Sequence, residues 1–258
     1  MYNTFSDDYD RFVNWESRLA YELPFIEKTI AQVQKRDKKL EVLDAACGTG
    51  MHAIALSRLG YSVSGVDLFP NMIERARQNA REANTDVRFE IAGFGRLAQT
   101  FGNASMDALV CLGNSLPHVD DEAALQITLD DFARVLRPGG VLLLQNRNFD
   151  KVMAQKLRWM EPQAHREGEQ EWAFFRFYDF EPNGHIQFHI VTLYREGAGN
   201  WKQTLRSTRL FPLLQADLNL ALNAAGFNDM QFFGSMDGSI FALEQSENLI
   251  IAARNGHS

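Results

Sequence analysis

The stretch Leu40-Glu41-Val42-Leu43-Asp44-Ala45-Ala46-Cys47-Gly48-Thr49-Gly50 constrains this chain more than any other. A short apolar run ends in small residues, and Met51–Leu59 then repeats apolar side chains at helical spacing. That order reads as strand, tight turn and helix. Gly48 and Gly50 can adopt positive φ and let a ligand approach the backbone closely. The helix that follows turns its free N–H groups toward whatever sits over the turn. A nucleotide-like ligand is expected there.

The rest of the chain must supply the sheet around that strand. With 258 residues, 45% of them hydrophobic and 23% charged, it has material for one large α/β domain with an insertion or for two small domains. The formal net charge of −7 and the absence of a basic tract argue against nucleic acid as a partner. No apolar run approaches the roughly 20 residues of a membrane span. The first eight residues are acidic and lack an apolar signal core, so the cytoplasm is the expected compartment. Cys47 and Cys111 fall in segments expected to be buried and read as reduced thiols. No metal site is expected.

Residues 8–33 repeat Phe12, Trp15, Leu19, Leu23, Ile26 and Ile30 at spacings of three and four, an amphipathic helix that Pro24 is expected to split. Packing on the core accounts for its apolar face; Arg18 and the ring of Tyr9 are less easily assigned to packing, and such a helix can fold over a ligand. Residues 35–39 form a charged run, read as a solvated loop. Strands are expected at 61–67, 86–91, 106–112 and 141–144. Helices are expected from Pro70 and over 121–136, with Arg137-Pro138-Gly139-Gly140 as a turn into the fifth strand. This alternation predicts a Rossmann-like, doubly wound, mostly parallel sheet. Segments 171–180, 185–194 and 201–211 are aromatic and β-branched and are joined by short turns, which predicts an antiparallel β insertion at about 150–212. A helix at 213–226 and strands at 227–233 and 248–253 complete a seven-stranded sheet. The expected division is an N-terminal helical cap over 1–39 and a ligand-binding domain over 40–258.

Gly48-Thr49-Gly50-Met51-His52-Ala53 also satisfies G-x-G-x-x-A, a relaxed dinucleotide pattern. The neighbouring acids decide the matter. Asp44, just before the turn, would face a pyrophosphate unfavourably and suits a positively charged tail instead. Asp67, at the end of the second strand, can accept hydrogen bonds from both hydroxyls of a ribose. Each acid alone could be a helix cap or a solvated loop residue; together they favour a nucleoside with a cationic amino-acid tail, S-adenosylmethionine.

Asp44 to Gly50, with Asp67 and Arg137-Pro138-Gly139-Gly140, resembles a class I S-adenosylmethionine-dependent methyltransferase across residues 8–150. The resemblance implies cofactor contacts from Asp44, Ala46, Gly48, Gly50, Asp67, Leu68, Met72, Gly93, Phe94 and Leu112, with Arg18 added from the leading helix. Met72 would cover the adenine face and Gly93-Phe94 would line its edge, although Met72 also reads as plain helix core. Two further stretches resemble the glycine/sarcosine N-methyltransferases: Cys111-Leu112-Gly113-Asn114-Ser115 with His118, and Asn146-Arg147-Asn148-Phe149-Asp150. The resemblance implies that Asn114 and Arg147 hold an amino-acid acceptor and that His118 lies beside the reacting groups.

An arginine fork suits a carboxylate, and an asparagine carbonyl can orient an amine. The alternatives are a structural ion pair for Arg147 and a satisfied loop histidine for His118. Asn146 and Phe149 depart from the histidine and tyrosine of that subgroup, and Leu210-Phe211-Pro212 stands where it has a tyrosine pair, so a larger or more apolar acceptor is expected. Trp159, Trp172, Phe174, Phe175, Phe177 and Tyr178 read mostly as core of the insertion. The expected activity is methylation of a small molecule, an amino-acid-like amine such as glycine, sarcosine or a larger analogue. The rivals are an O- or C-methyltransferase, a nicotinamide oxidoreductase and a non-catalytic sensor of the same cofactor.

Overall fold

The computed structural model describes residues 11, 13–33 and 39–257. Tyr9, Phe12 and the run at 35–38 lie outside the described residues, so the readings made for them are left there.

Helix α1 (Trp15–Ile30) is capped by Asn14, whose side chain accepts the Ser17 N–H at 3.1 Å. Pro24 sits inside it and does not split it. Proline has no N–H to offer the Ala20 carbonyl, but both residues are exposed and water can serve instead. Phe25, Ile26, Thr29 and Ile30 form the buried stripe.

The main sheet is built from β1 (Glu41–Ala45), β2 (Ser62–Asp67), β3 (Arg88–Ile91), β4 (Met106–Cys111), β5 (Leu136–Arg147), β10 (Phe227–Phe233) and β11 (Asn248–Asn255). Its order is β10-β11-β5-β4-β1-β2-β3, parallel from β5 to β3, with β11 antiparallel to both β5 and β10. Helices α2 (Met51–Arg58), α3 (Pro70–Glu82), α4 (Leu97–Phe101), α5 (Glu122–Val135) and α7 (Gln215–Ala224) cover its faces, and α6 (Phe149–Gln155) follows β5. One core packs α5 and α7 on one face around Leu109, Phe132 and Leu144; the other packs α1, α2 and α3 around Val42, Ile54 and Ile73. Both faces are therefore apolar, as a parallel sheet requires. The strand order reverses at β1 and β4, and a ligand crevice is expected beyond their carboxyl ends.

Arg137–Gly140 is not a turn ahead of a strand. Leu136 already pairs with Met106 and Val141 pairs with Ala108, so the four residues bulge out within β5. Pro138 has no ladder N–H to give, and Gly139 takes φ +71°, which together force the bulge. Arg137 Nη1 then reaches Asp107 Oδ1 at 2.8 Å.

The antiparallel insertion is a four-stranded sheet, β6 (Gln163–Glu167), β7 (Gln170–Phe180), β8 (Ile186–Glu196) and β9 (Lys202–Leu210), in sequential order. The polar strand β6 carries no apolar alternation, which is why three strands and not four are expected from the sequence. The short helices α4 and α6 also escape the sequence pattern, because one or two turns show little period.

Phe89 on β3 fixes the geometry beneath the glycine turn. A Cβ on Gly50 (φ +81°) would meet Phe89 Cζ at 2.7 Å, and one on Gly65 would meet Phe89 Cε1 at 2.7 Å. Gly65→Ala is expected to lower the urea-unfolding stability by about 1–3 kcal/mol through overpacking. Adding Phe89→Leu, which removes those ring atoms, should recover part of that loss in a double-mutant cycle; simple additivity would refute the contact.

Candidate functional site

The turn after β1 uses three left-handed residues, Ala46 (φ +63°), Gly48 (φ +56°) and Gly50 (φ +81°), the last being the N-cap of α2. Asp67 ends β2 beside it. Its Oδ2 accepts the Gly48 N–H at 3.0 Å and its Oδ1 accepts the Phe69 N–H at 2.9 Å. Burial raises its pKa, opposed by these backbone donors and by Leu68 N–H. Asp67 is thus clamped from behind and still borders a cavity of about 1180 Å³.

On one side of that cavity Val66, Leu68, Met72, Gly93 and Phe94 form an apolar slot. Met72 is buried, and Phe94 is fixed edge-on against Phe132 with ring centroids 5.7 Å apart. A flat base in this slot would stand next to the Asp67 carboxylate.

Another part of the wall carries a buried charged network that the sequence does not announce. Glu22 Oε2 receives Arg18 Nε at 3.1 Å and His52 Nε2 at 2.6 Å, and Glu22 Oε1 accepts from Gln145 Nε2 at 3.1 Å. Burial pushes the Glu22 carboxyl up, but the His52 hydrogen bond and the Arg18 charge outweigh it and hold its pKa down at about 2. Gln145 Oε1 accepts the Gly113 N–H at 3.0 Å, and its main-chain carbonyl accepts the Asn114 N–H at 3.0 Å. The ionised Glu22 borders the cavity together with Arg18, whose charge it balances.

Beyond the ends of β4 and β5 the wall changes character. Asn114 sits at φ +67°, and its Oδ1 accepts the Arg147 N–H at 2.9 Å. Arg147 Nη2 lies 3.4 Å from Glu247 Oε2, while its Nε is buried with no hydrogen-bond partner among the described residues. Asn146 is 1% exposed, and neither of its amide atoms has a partner among the described residues. Burial lowers the His118 pKa to about 4, so its ring is neutral above that. Burial drives the Tyr178 phenol up to about 12 against the charges of Arg147 and Arg176, which keeps it protonated. All five side chains border the same cavity, together with Trp159, Phe188 and Glu247.

The structure thus brings Arg18, Ala46, Gly48, Asp67, Leu68, Met72, Gly93, Phe94, Asn114, His118 and Arg147 to one cavity. Three expected residues stand behind its wall. Gly50 is sealed under Phe89, Leu112 is buried, and Asp44 is 2% exposed one layer beneath the turn. The carboxylate that meets the cavity on this side is Glu22. A spacing of four residues links it to Arg18 on one helix face, but only the fold brings His52 and Gln145 to it. Leu210 and Phe211 are both absent from the wall, Leu210 packing in the core and Phe211 donating its N–H to the Pro117 carbonyl at 2.8 Å.

The family model described as "Methyltransferase domain" matches residues 42–140. A glycine/sarcosine N-methyltransferase of Parasynechococcus marenigrum is 34% identical over 149 residues, 58% of this chain and 51% of that protein. A mouse glycine N-methyltransferase is 33% identical over 123 residues, 44% of this chain and 42% of that protein. The chain thus spans about half the length of the curated relatives it matches. An S-adenosylmethionine-dependent methyltransferase from Clostridium acetobutylicum superposes with a TM-score of 0.77 at 19% identity over 99% of both chains. A sugar N-methyltransferase from a Streptoalloteichus species superposes with a TM-score of 0.75 at 20% identity, over 93% of this chain and 88% of its own. These two likenesses concern the fold.

Asp44 supplies a pH signature. Its Oδ2 has no partner among the described residues, and burial followed by the Asp67 charge lifts its pKa to about 6, against His52, the Ala53 N–H and Arg18. A folded-state pKa above the unfolded one means the folded chain keeps a proton that the unfolded chain gives up. Stability from this group therefore falls as pH rises from about 4 to about 6 and stays reduced above that. Asp44→Asn should remove the penalty, gaining roughly 3 kcal/mol at pH 7 relative to pH 4 in urea titrations of variant against parent. A stability difference independent of pH would refute this.

Proposed function

We propose that this chain, whose residues 42–140 match the methyltransferase-domain model, uses S-adenosylmethionine to transfer a methyl group to the nitrogen of a small, amino-acid-like molecule larger than glycine. The observation that carries this reading is the continuity of the cavity: one space runs from Asp67 and Met72 to Asn114 and Arg147. Ligand sites usually occupy about 300–1,000 Å³. At about 1180 Å³, this one has room for a nucleoside and a second molecule beyond glycine in size.

The wall fits the cofactor. Asp67 presents a carboxylate to the ribose hydroxyls, and Met72 and Phe94 flank the base. When bound, S-adenosylmethionine supplies a methyl group already activated by its sulfonium. The chain's remaining task is to align a neutral nucleophile and exclude water. Arg147, with an unpartnered Nε, offers an N–H to an acceptor carboxylate. Asn114 already spends one lone pair of Oδ1 on the Arg147 backbone, so it serves chiefly to fix the arginine. Tyr178 adds a protonated phenol from the insertion, in place of the tyrosines expected near Leu210.

His118 bears on the choice between nitrogen and oxygen. A group with a pKa near 4 is a poor base for an alcohol. An amine that binds deprotonated needs none, which favours N-methylation. The curated relatives named as glycine/sarcosine N-methyltransferases point to the same class of acceptor.

With labelled S-adenosylmethionine and a panel headed by glycine, sarcosine and dimethylglycine and extended to larger amino acids, S-adenosylhomocysteine should form with at least one amine. Arg147→Ala should lower kcat/KM for that acceptor by about 10- to 100-fold, as for a lost charged hydrogen bond. Unchanged kinetics would remove Arg147 from the site. The rate should rise with pH as the acceptor amine loses its proton, and His118→Asn should leave that profile in place; loss of the inflection with His118 would make the histidine the base.

A further inference from the structure

Resting on the reading of this cavity as a methyl-transfer site, we infer that Asn146 selects the acceptor by pairing its amide with a group that both accepts and donates a hydrogen bond, a hydroxyl or a primary carboxamide. Three amide side chains stand close together at the end of β5. Gln145 is spent at both ends, on Glu22 and on Gly113. Asn148 is spent as well: its Nδ2 donates to the carbonyls of Leu243 and Ser246, and its Oδ1 accepts from Lys151 N–H. Asn146 alone keeps both polar atoms unpartnered among the described residues, at 1% exposure and on the cavity wall. A buried amide left like this costs on the order of 1–3 kcal/mol per unpaired group. That cost is removed when a ligand supplies the missing partner.

The chemistry of the partner follows from the amide and from the charges around it. A carboxylate only accepts, and would set its oxygen against Asn146 Oδ1. An ammonium only donates, and would leave Nδ2 unpaired. A hydroxyl or a carboxamide satisfies both edges. The neighbouring charges on the wall already balance, Arg147 and Arg176 against Glu161 and Glu247, with Arg147 drawn to Glu247. With the acceptor carboxylate assigned to Arg147, the amide of Asn146 is left for a neutral hydrogen-bonding group on the same molecule. The cavity volume leaves space for an acceptor that carries it.

The test uses matched acceptors that differ only in this group: serine against alanine, homoserine against 2-aminobutyrate, and glutamine against homoleucine, its branched hydrocarbon isostere. The readout is S-adenosylhomocysteine formation by the full chain. At least one hydroxyl- or carboxamide-bearing member should exceed its partner by about tenfold or more in kcat/KM, as for a site built to bond a polar group. Asn146→Leu should bring that ratio to about 1–2 by lowering only the polar member, with calorimetric affinity for S-adenosylhomocysteine unchanged.

Asn146→Asp, which keeps the one acceptor oxygen and replaces the NH2 donor by a second acceptor, should lower the preference through the lost donor and serves if the leucine variant does not fold. Turnover without any preference, an equal loss for all acceptors, or no effect of Asn146→Leu would each overturn the inference, the last by assigning the amide to bound water. Those results leave the methyl-transfer reading intact. Absence of turnover with every amine would instead overturn that reading and this inference with it.

Discussion

A single buried carboxylate ties together the parts from which the cavity is made. Glu22 on α1 accepts from His52 on α2 and Gln145 on β5, and Arg18 is its third partner. Gln145 then fixes Gly113 and Asn114 after β4, and Asn114 fixes the backbone of Arg147. The chain of bonds runs from the leading helix, across the cofactor side, to the acceptor side. Removing a partner from a buried ion pair is costly because it leaves an uncompensated charge. The helix therefore belongs to the site. Without it the Gln145 side chain loses its partner, and the loop after β4 loses part of its support.

The seven-stranded, mostly parallel sheet was readable from the sequence, though not its strand order, because its central strands are short apolar runs closed by turn signals. Leu40–Ala45 and Met106–Cys111 are of that kind. The same physics explains the misses. Arg137–Gly140 has turn chemistry, and only the pairing of Leu136 with Met106 reveals a bulge inside a strand. Strand β6 is polar because it lies at an edge with little to bury. Pro24 resembles a break because sequence does not say which face of the helix meets water.

On the candidate site, residues whose place on the cavity wall follows from backbone shape or strand position were foreseeable: Gly48, Asp67, Asn114, Arg147. Glu22, His52 and Gln145 were not. Their meaning is a meeting across 30 and 123 positions of chain, which no spacing encodes. Asp44 shows the reverse case. Its position marks the turn, yet it is buried beneath the wall and acts on the site only as a charge.

The two halves of the cavity are held by different means. On the cofactor side rigidity comes from backbone: Asp67 is clamped by two main-chain N–H groups, and Phe89 forbids a side chain at Gly50 or Gly65. On the acceptor side it comes from side chains, with Arg147 placed between Asn114 and Glu247 and the insertion sheet adding Tyr178 and Phe188. A backbone-built half tolerates little change of ligand. A half built from side chains can be altered residue by residue, and there the chain departs from the subgroup it resembles at Asn146, while Phe149 and Leu210, the other departures, are buried away from the wall.

Two non-glycine residues on the cavity wall, Ala46 and Asn114, take left-handed backbone conformations. Such a conformation costs of order 1–3 kcal/mol for an ordinary residue. Asparagine tolerates it better than alanine because its short polar side chain can bond locally. In Asn114 the bonds run to the neighbouring strand instead: its Oδ1 takes the Arg147 N–H and its own N–H reaches the Gln145 carbonyl. Ala46 has no such side chain, and its turn is held by the neighbouring Cys47 N–H on the Val66 carbonyl at 2.7 Å. The strain thus sits at the carboxyl ends of β1 and β4, on either side of the point where the strand order reverses. A relaxed backbone at either place would move a cavity-facing N–H or carbonyl away from the ligand, so the cost is retained where the two halves of the site must meet.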